Sequence, residues 1–307
     1  MSLSILLQQM GVILILVSIG VMLQRKDVID TKTSKKLSAI VVDVCNPALI
    51  MASILSGGLT ATHEDLLTAI CLGAAFYGLL VILGFVVPRI LRAEPDNRRF
   101  YNLMTVYTNC GFLGIPVARA ILPANAILYV IVINVFYSLL FYTHGQIILS
   151  GKKNTGHTNP VKSILNPGTI MAVLSLVVFW FGITLPPLLA NTIEYVGNAT
   201  IFLSMTLLGV NIARSKLLES VKDLRIWGYI LLRMLLVPVA IVFVMRALSF
   251  DSTATLAMCL MAAVPVGNLP MIQAEKLGED TRILSSAIAV TTAMSLFTIT
   301  VLMSVFA

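Results

Sequence analysis

Long apolar stretches recur along the 307 residues of this chain, and short polar connectors separate them. Each apolar stretch has about twenty residues, which is the length that an α-helix needs to cross the hydrocarbon core of a bilayer. The pattern therefore predicts ten membrane-spanning helices. Their predicted ranges are 3–23, 37–56, 66–88, 100–122, 126–149, 164–183, 195–212, 226–248, 254–276 and 283–306.

Composition supports this class of protein. Hydrophobic residues make up 58% of the chain and charged residues only 11%, whereas a soluble domain carries about 25% charged residues. We therefore expect an all-α, polytopic membrane protein. The net charge of +7 does not indicate a nucleic-acid-binding protein, because the basic residues lie in short clusters between the apolar stretches.

The connectors alternate between two kinds. One set holds every Lys and Arg of the chain except Arg119, Arg233 and Arg246, and the other set holds none. Lys and Arg near the ends of spans tend to stay in the cytoplasm. The basic set is therefore predicted to be cytoplasmic, and both chain termini are predicted to lie outside the plasma membrane. The basic connectors are 24–36, 89–99, 151–162, 213–225 and 275–282.

This topology gives five spans to each half of the chain. Because five is an odd number, a second half built like the first enters the membrane in the opposite orientation. We therefore predict two inverted five-helix repeats, residues 1–150 and 163–307, joined by a short cytoplasmic linker at 151–162.

Helix breakers fall inside the fourth and the ninth predicted spans. The sequence GFLGIPVARAI begins at Gly111, and PVGNLPMIQAE begins at Pro265, about 150 residues later. A proline removes a backbone N–H and clashes with the preceding turn, which a membrane helix tolerates where protein or a water-filled cavity covers the defect. Two broken helices at matching positions of an inverted repeat indicate the substrate site of a transporter. A proline kink that only shapes helix packing is the alternative interpretation.

The residues around the two breaks suit an anion. Each break frees backbone N–H groups at the start of a half-helix, where the helix dipole favours negative charge. Neutral side chains nearby add hydrogen-bonding groups. Asn134 in the fifth span is a weaker candidate, since a single Asn often joins two helices instead. The predicted substrate-binding residues are Asn109, Gly111, Gly114, Pro116, Pro265, Gly267, Asn268, Pro270 and Asn134.

Two charged residues lie well away from the ends of predicted spans, Asp43 and Arg233. An ionised carboxylate in hydrocarbon is costly, so Asp43 is a candidate for coupling to a proton or another ion. Pairing with Lys35 or Lys36 near the cytoplasmic interface is the other interpretation of Asp43. Arg233 lies about 12 Å from the predicted cytoplasmic end of its helix, at about 1.5 Å per residue. It either attracts an anionic substrate, snorkels toward the headgroups or forms a structural pair.

The chain shows no recognisable enzymatic motif. HEDLL at His63 lacks the second histidine of the zinc-protease motif, and there is neither a Walker A sequence nor a GxGxxG sequence. The four cysteines lie in apolar spans without CxxC spacing. We therefore expect no catalytic residue, no metal and no cofactor, and we expect transport to be ion-coupled or facilitated.

The chain resembles the auxin-efflux-carrier family of membrane transporters, which includes plant PIN-type carriers and bacterial malate-permease-like proteins. The order and spacing of five segments carry the resemblance across nearly the whole chain. These segments are NPALIM (46–51), TNCGFLGIPV (108–117), LNPGTIMAVL (165–174), FLSMTLLGVNIA (202–213) and AAVPVGNLPMIQAEKLGED (262–280). The long hydrophilic loop of some plant members is absent, so the chain looks like a short, microbial-type member.

The resemblance implies a fold similar to that of bile-acid sodium symporters, with ten helices in two inverted repeats. The fourth and ninth helices would be broken and would cross at mid-membrane. The first, second, sixth and seventh helices would form a scaffold and a homodimer surface, while the others move as the transport unit of an elevator. The family also implies an organic anion as substrate, such as a monocarboxylate or a dicarboxylate.

The sequence thus predicts a secondary active transporter that moves an organic anion by alternating access. Proton coupling is the first hypothesis, with Asp43 as the carrier. A sodium-coupled symporter of a bulky organic anion on the same fold is the first alternative. A membrane receptor that binds a ligand without moving it is the second.

Overall fold

The structure is a computed structural model of the chain. Its described residues are 3–55, 60–150, 167–214, 222–277 and 279–306. The predicted linker at 151–162 and the predicted start of the sixth helix at 164 lie outside the described residues. Within those ranges all regular structure is helical, apart from one bridged pair of residues between two helix breaks. The expectation of an all-α protein is therefore confirmed.

Helices occupy each of the stretches that the hydrophobic pattern marks, and two of these stretches are interrupted. In chain order the helices are α1 (Leu3–Arg25), α2 (Thr31–Leu55), α3 (His63–Ile90), α4 (Arg98–Val106), α5 (Cys110–Ile121), α6 (Ala126–Leu140), α7 (Pro167–Phe181), α8 (Pro187–Arg214), α9 (Leu224–Ala247), α10 (Ser252–Ala263), α11 (Leu269–Lys276) and α12 (Arg282–Phe306). Beyond a bend of 42°, α6 continues as a helical stretch that ends at Ser150.

Polar caps and prolines set several helix starts. The Asp30 carboxylate accepts a hydrogen bond from the backbone N–H of Thr33 at 2.7 Å, so α2 begins before its predicted start at 37. Thr62 and Asp65 form a capping box at the start of α3. α8 begins at Pro187, well before its predicted start at 195, because a proline suits the first turn of a helix.

Five described helices are long and apolar enough to cross a bilayer, namely α2, α3, α8, α9 and α12. A sixth span is added when α6 and its bent continuation are taken together. The other apolar stretches, Gly11–Arg25 of α1 and the helices α5, α7 and α10, have 10–17 residues each. These lengths confirm a polytopic membrane protein, whereas the full ten-span topology stays a prediction.

Several spans contain a π-helical turn, which widens the helix by one residue and often lies at a functional site. Val41–Cys45 is such a turn within α2, and Ile230–Leu236 is another within α9. Cys110–Gly114 opens α5 in the same conformation. The turns in α2 and α9 contain the two charged residues that the sequence singled out, Asp43 and Arg233.

The helices pack in two groups. In the first group α8 contacts both α1 and α2, and α2 contacts α7. In the second group α3 contacts α4 and α6, while α10 contacts α6, α9 and α12. Contacts of α6 with α7 and of α1 with α12 join the two groups.

Two glycines allow α1 and α8 to approach closely. A Cβ atom on Gly20 would lie 2.0 Å from the carbonyl oxygen of Thr206, and a Cβ atom on Gly209 would lie 2.0 Å from that of Val17. Small residues are the usual means by which membrane helices bring their backbones together. This packing holds the first group of helices together.

Candidate functional site

The two interrupted spans cross at their breaks. Thr108, between α4 and α5, forms an antiparallel bridge with Val266, between α10 and α11. The Asn109 N–H donates to the carbonyl oxygen of Pro265 at 2.7 Å, and the Gly267 N–H donates to that of Tyr107 at 3.1 Å. Each break therefore supplies partners for backbone groups that the other leaves unpaired, as a buried membrane segment requires.

Glycine and proline have separate roles at this crossing. A Cβ atom on Gly267 would lie 2.9 Å from the carbonyl oxygen of Thr108, so only glycine permits the two backbones to come this close. Pro116 and Pro270 each occupy the second position of an α-helical stretch, Ile115–Ile121 and Leu269–Lys276. Pro270 is tolerated because the first turn of a helix has no internal partner for its N–H groups, whereas Pro116 follows the π-helical turn Cys110–Gly114 inside α5.

The ends of α4 and α10 at the crossing are capped by residues of α9. Arg233 is fully buried, and its Nε donates to the carbonyl oxygen of Thr105 at 2.9 Å, while Nη1 donates to that of Ala262. The Tyr229 hydroxyl donates to the carbonyl oxygen of Met104 at 2.7 Å. Of the three interpretations of Arg233, the structure shows the structural pairing, and snorkelling is wrong because the side chain is buried.

A first polar cluster lies beside the start of α5 and brings together residues of three helices. A Cβ atom on Gly111 would lie 3.3 Å from Nδ2 of Asn46 in α2 and 3.9 Å from Oδ1 of Asn134 in α6. Oδ1 of Asn46 is buried and has no hydrogen-bond partner in the described chain. Asn109 and Asn134 are also buried, with 5% and 7% of their surface exposed. A buried amide without a partner indicates a place for a polar ligand or water.

A second polar cluster lines a cavity of about 190 Å³ beside the start of α11. Asn268 is half-buried there, and Asn211 of α8 and Thr292 of α12 face the same cavity. The Thr292 hydroxyl is buried and has no partner among the described residues. Arg214 also lines the cavity and donates through Nη2 to the carbonyl oxygen of Ile29 at 2.7 Å. We call these two groups the Asn109 cluster and the Asn268 cluster.

The predicted substrate residues are thus divided between two adjoining places. Gly111 and Asn134 come together with Asn46, Asn109 is buried two residues before Gly111, and Asn268 lies in the other cluster. Gly114 instead packs against Met261, since a Cβ atom there would lie 3.2 Å from that side chain. Of the remaining predicted residues, Pro265 and Gly267 take part in the crossing, Pro270 follows it at the start of α11, and Pro116 lies within α5.

Asp43 lies in the π-helical turn of α2, three residues before Asn46. Its side chain is exposed, and no ion pair joins it to Lys35 or Lys36 in the described chain. The interpretation of Asp43 as half of a structural ion pair is therefore wrong for this structure. The carboxylate lies on α2, the helix that contributes Asn46 to the Asn109 cluster, and its side chain is exposed.

Sequence reasoning missed the contacts of His144. The Tyr107 hydroxyl at the crossing is hydrogen bonded to Nδ1 of His144 at 2.8 Å and to the carbonyl oxygen of Leu140 at 2.9 Å. Nε2 of His144 is buried without a partner among the described residues. A histidine inside an apolar span was the available signal, and the sequence does not show which helix it faces.

Two broken apolar helices cross through backbone hydrogen bonds and carry uncharged amides where they cross. This arrangement is that of a membrane transporter. The chain belongs to the membrane transport protein family, the family of auxin efflux carriers and malate permeases, and matches it over residues 5–303. The resemblance drawn from the sequence is therefore confirmed. The protein is a transporter and not an enzyme.

Two archaeal proteins are similar to this chain along nearly their whole lengths. One is an uncharacterized transporter of Methanocaldococcus jannaschii, which is 23% identical over 304 residues that cover 94% of each chain. The other is an uncharacterized transporter of Methanothermobacter thermautotrophicus, which is 24% identical over 291 residues that cover 92% of this chain and 93% of that protein.

Proposed function

We propose that this transporter is a secondary active carrier that binds an organic carboxylate at the crossing and moves it by alternating access. The observation that carries the proposal is that each of the two paired breaks has polar residues next to it, the Asn109 cluster after Thr108 and the Asn268 cluster after Val266. The amides of both clusters are neutral hydrogen-bonding groups, and Arg214 adds a fixed positive charge to the lining of the Asn268 cavity.

The direction of the half-helices favours an anion at this place. α5 and α11 both begin at the crossing, so their free N–H groups and the positive ends of their dipoles point toward it. Arg233 at the ends of α4 and α10 adds one buried positive charge close by. A mono- or dicarboxylate is the class of substrate that fits these groups.

Packing symmetry supports the proposed inverted repeats at 1–150 and 163–307. In an inverted repeat α1 corresponds to α7, α2 to α8 and α6 to α12. The contact of α1 with α8 therefore matches that of α7 with α2, and the contact of α6 with α7 matches that of α12 with α1. The bridged residues Thr108 and Val266 are 158 positions apart in the chain, and so are Asn134 and Thr292, one in each polar cluster. Such matched contacts are expected from two similar halves in opposite orientations.

The two packing groups fit an elevator mechanism. In this proposal α1, α2, α7 and α8 form the scaffold and the homodimer surface. The helices of the crossing belong to the other group, which moves as the transport unit and carries the substrate with it. The joining contacts of α6 with α7 and of α1 with α12 are the places where the two groups slide.

Proton coupling through Asp43 completes the proposal. In this proposal the exposed carboxylate, three residues before Asn46 on α2, binds a proton when the site is open to one side of the membrane and releases it on the other. If a sodium ion is coupled instead, uptake stops when choline replaces sodium at constant pH. A receptor that does not transport would bind ligand without any counterflow in sealed vesicles.

The site assignment is tested with a double variant, Asn109→Ala with Asn268→Ala. A thermal-shift screen of the purified protein against a panel of carboxylates first finds a ligand that raises the unfolding temperature. We expect the double variant to lower uptake of that ligand into proteoliposomes by about tenfold or more, because a hydrogen bond to a charged group contributes roughly 1.5–3 kcal/mol.

Asn191→Ala is the matched control, because Asn191 is exposed on α8 away from the crossing. Its uptake should equal that of the unchanged protein. Uptake by the double variant at the wild-type rate, with equal amounts of reconstituted protein, would contradict the site.

A further inference from the structure

A separate polar pocket lies between α3, α4 and the helical stretch that follows α6. Its volume is about 200 Å³, several times the share of ~30 Å³ that a water molecule takes in the liquid. Its lining residues are Gly84, Phe85, Pro88, Arg89, Arg98, Arg99, Asn102 and Ile148. In the predicted topology these helix ends face the cytoplasm. We call it the arginine pocket.

Asn102 at the inner end of this pocket is buried but unsatisfied. Only 3% of its surface is exposed, and neither Oδ1 nor Nδ2 has a hydrogen-bond partner within the described ranges. Gly84 packs directly against it, since a Cβ atom there would lie 2.8 Å from Nδ2. Because the amide offers both an acceptor and donors, an occupant that satisfies it must itself donate and accept.

The pocket carries positive charge in excess. Arg89 donates to the carbonyl oxygen of Phe85, and Arg98 donates through Nε to that of Ala93 at 3.2 Å. No carboxylate pairs with either guanidinium in the described part of the chain. Arg99 is different, because it pairs with Glu279. Arg89 and Arg98 therefore keep free N–H groups, in the planar arrangement that suits a phosphate.

An exposed apolar surface continues from the pocket along α3. Phe85 at the rim is 44% exposed, and Ile82 further along the same face is 62% exposed. Gly78 and Ala74, exposed and spaced four residues apart, extend this surface, and a Cβ atom on Gly78 would meet nothing within 4 Å. A basic pocket at the end of an apolar helix face matches an amphiphile with an anionic head and a hydrocarbon tail.

We propose that the arginine pocket binds an anionic phospholipid whose headgroup carries a hydroxyl. The phosphate accepts hydrogen bonds from Arg89 and Arg98, and the headgroup hydroxyl pairs with the Asn102 amide. One acyl chain lies along the exposed face of α3. This lipid site is independent of the substrate and of the crossing.

The test compares lipids with the purified full chain in detergent. Short-chain phosphatidylglycerol should raise the apparent unfolding temperature, and phosphatidylcholine should not. In the double variant Arg89→Gln with Arg98→Gln, the lipid concentration for half of the stabilisation should rise about thirtyfold, since each basic residue near an anionic lipid contributes roughly a factor of five. Each variant is compared with its own lipid-free baseline, so a change in basal stability does not affect the result.

The matched control neutralises Arg25 and Lys26, two cations that the charge pattern places on the same side of the membrane. Arg25→Gln with Lys26→Gln should leave lipid stabilisation unchanged. If this control loses as much lipid stabilisation as the Arg89 and Arg98 variant, the assignment of the lipid to the arginine pocket is wrong, because surface charge alone would then explain binding. Stabilisation by phosphatidylcholine at the same concentration would overturn it as well.

Two further comparisons test the headgroup and the tail. Phosphatidylmethanol has the same charge but no hydroxyl, so it should bind more weakly than phosphatidylglycerol, and Asn102→Leu should remove that difference. Glycerol 3-phosphate carries the head without a tail. If it stabilises the protein at the same concentration as the lipid, the pocket holds a free phosphate and the lipid assignment is wrong.

Discussion

Arg233 shows at the scale of a residue how this chain tolerates a buried charge. The side chain lies where α4 and α10 both end, and it donates to one carbonyl oxygen of each. Carbonyl groups at the end of a helix carry partial negative charge, so a cation there is stabilised without an acidic partner. The sequence shows an arginine in an apolar span, but it does not show that two helix ends meet it.

Asp43 gives a prediction at the same scale. If it carries the coupling proton, Asp43→Asn should transport at a rate that no longer changes when the external pH is stepped between 5 and 8. The unchanged protein should respond to the step, because a coupled proton is then supplied in different amounts. The measurement is uptake into proteoliposomes loaded at constant internal pH.

Asp280→Asn is the control for this experiment. Hydrogen bonds from the Arg282 side chain and backbone lower the pKa of Asp280 to about 2. A depressed pKa means that the carboxylate stays charged above that value and loses its favourable contacts only as the pH falls through about 2, far below the tested window. Asp280→Asn should therefore keep the pH response. A pH response that survives in Asp43→Asn would remove Asp43 from the mechanism.

At the scale of elements, the breaks were predictable and the packing partners were not. Gly111, Gly114, Pro116 and Pro270 identify the two broken spans because breakers are conspicuous within apolar stretches, although the breaks themselves lie earlier, at 107–109 and 264–268. The early start of α8 at Pro187 was missed because hydropathy falls at the connector while the helix continues into it. The π-helical turns have no signal in the hydrophobic pattern, since they alter the helix by a single residue.

The contact between α1 and α8 gives a prediction for an element. Gly209→Ala should lower the free energy of unfolding by about 1–3 kcal/mol, because its Cβ would collide with the backbone of α1 and force the two helices apart. Gly11→Ala in the same helix pair is the matched control, since a Cβ there would meet nothing within 4 Å.

Gly11→Ala should leave the free energy of unfolding unchanged or raise it by up to about 1 kcal/mol, as expected for alanine in place of glycine inside a helix. Thermal unfolding of the purified variants in detergent provides the measurement. Equal stability of Gly209→Ala and the unchanged protein would show that the close approach of α1 and α8 is not required.

At the scale of the whole molecule, hydropathy predicts the class of protein and the charge pattern predicts the orientation of its helices, whereas local sequence patterns predict neither. The membrane class follows from apolar length alone, and the alternation of basic and uncharged connectors predicts the orientation of every span. Which helices touch could not be read from the sequence, because most spans are apolar on all sides. The separation of Asn109 from Asn268 into two polar clusters was hidden for the same reason.

The orientation itself is open to a direct test. In a variant without its own cysteines, Glu64→Cys at the start of α3 should react with a membrane-impermeant maleimide in intact cells. Asp96→Cys, in the basic connector before α4, should react only after the membrane is opened. Both positions are exposed, so accessibility of the side chain is matched between them. Labelling in the reverse order would place both termini in the cytoplasm instead.

The crossing is held by main-chain groups of Tyr107, Asn109, Pro265 and Gly267. Hydrogen bonds of this kind do not depend on which side chains the residues carry, except where Gly267 must stay small. The side chains at the crossing can therefore change while the backbone pairing that positions them stays the same. If the crossing binds the substrate as proposed, a lineage of such transporters can acquire new substrates through a few substitutions beside it, without altering the backbone pairing itself.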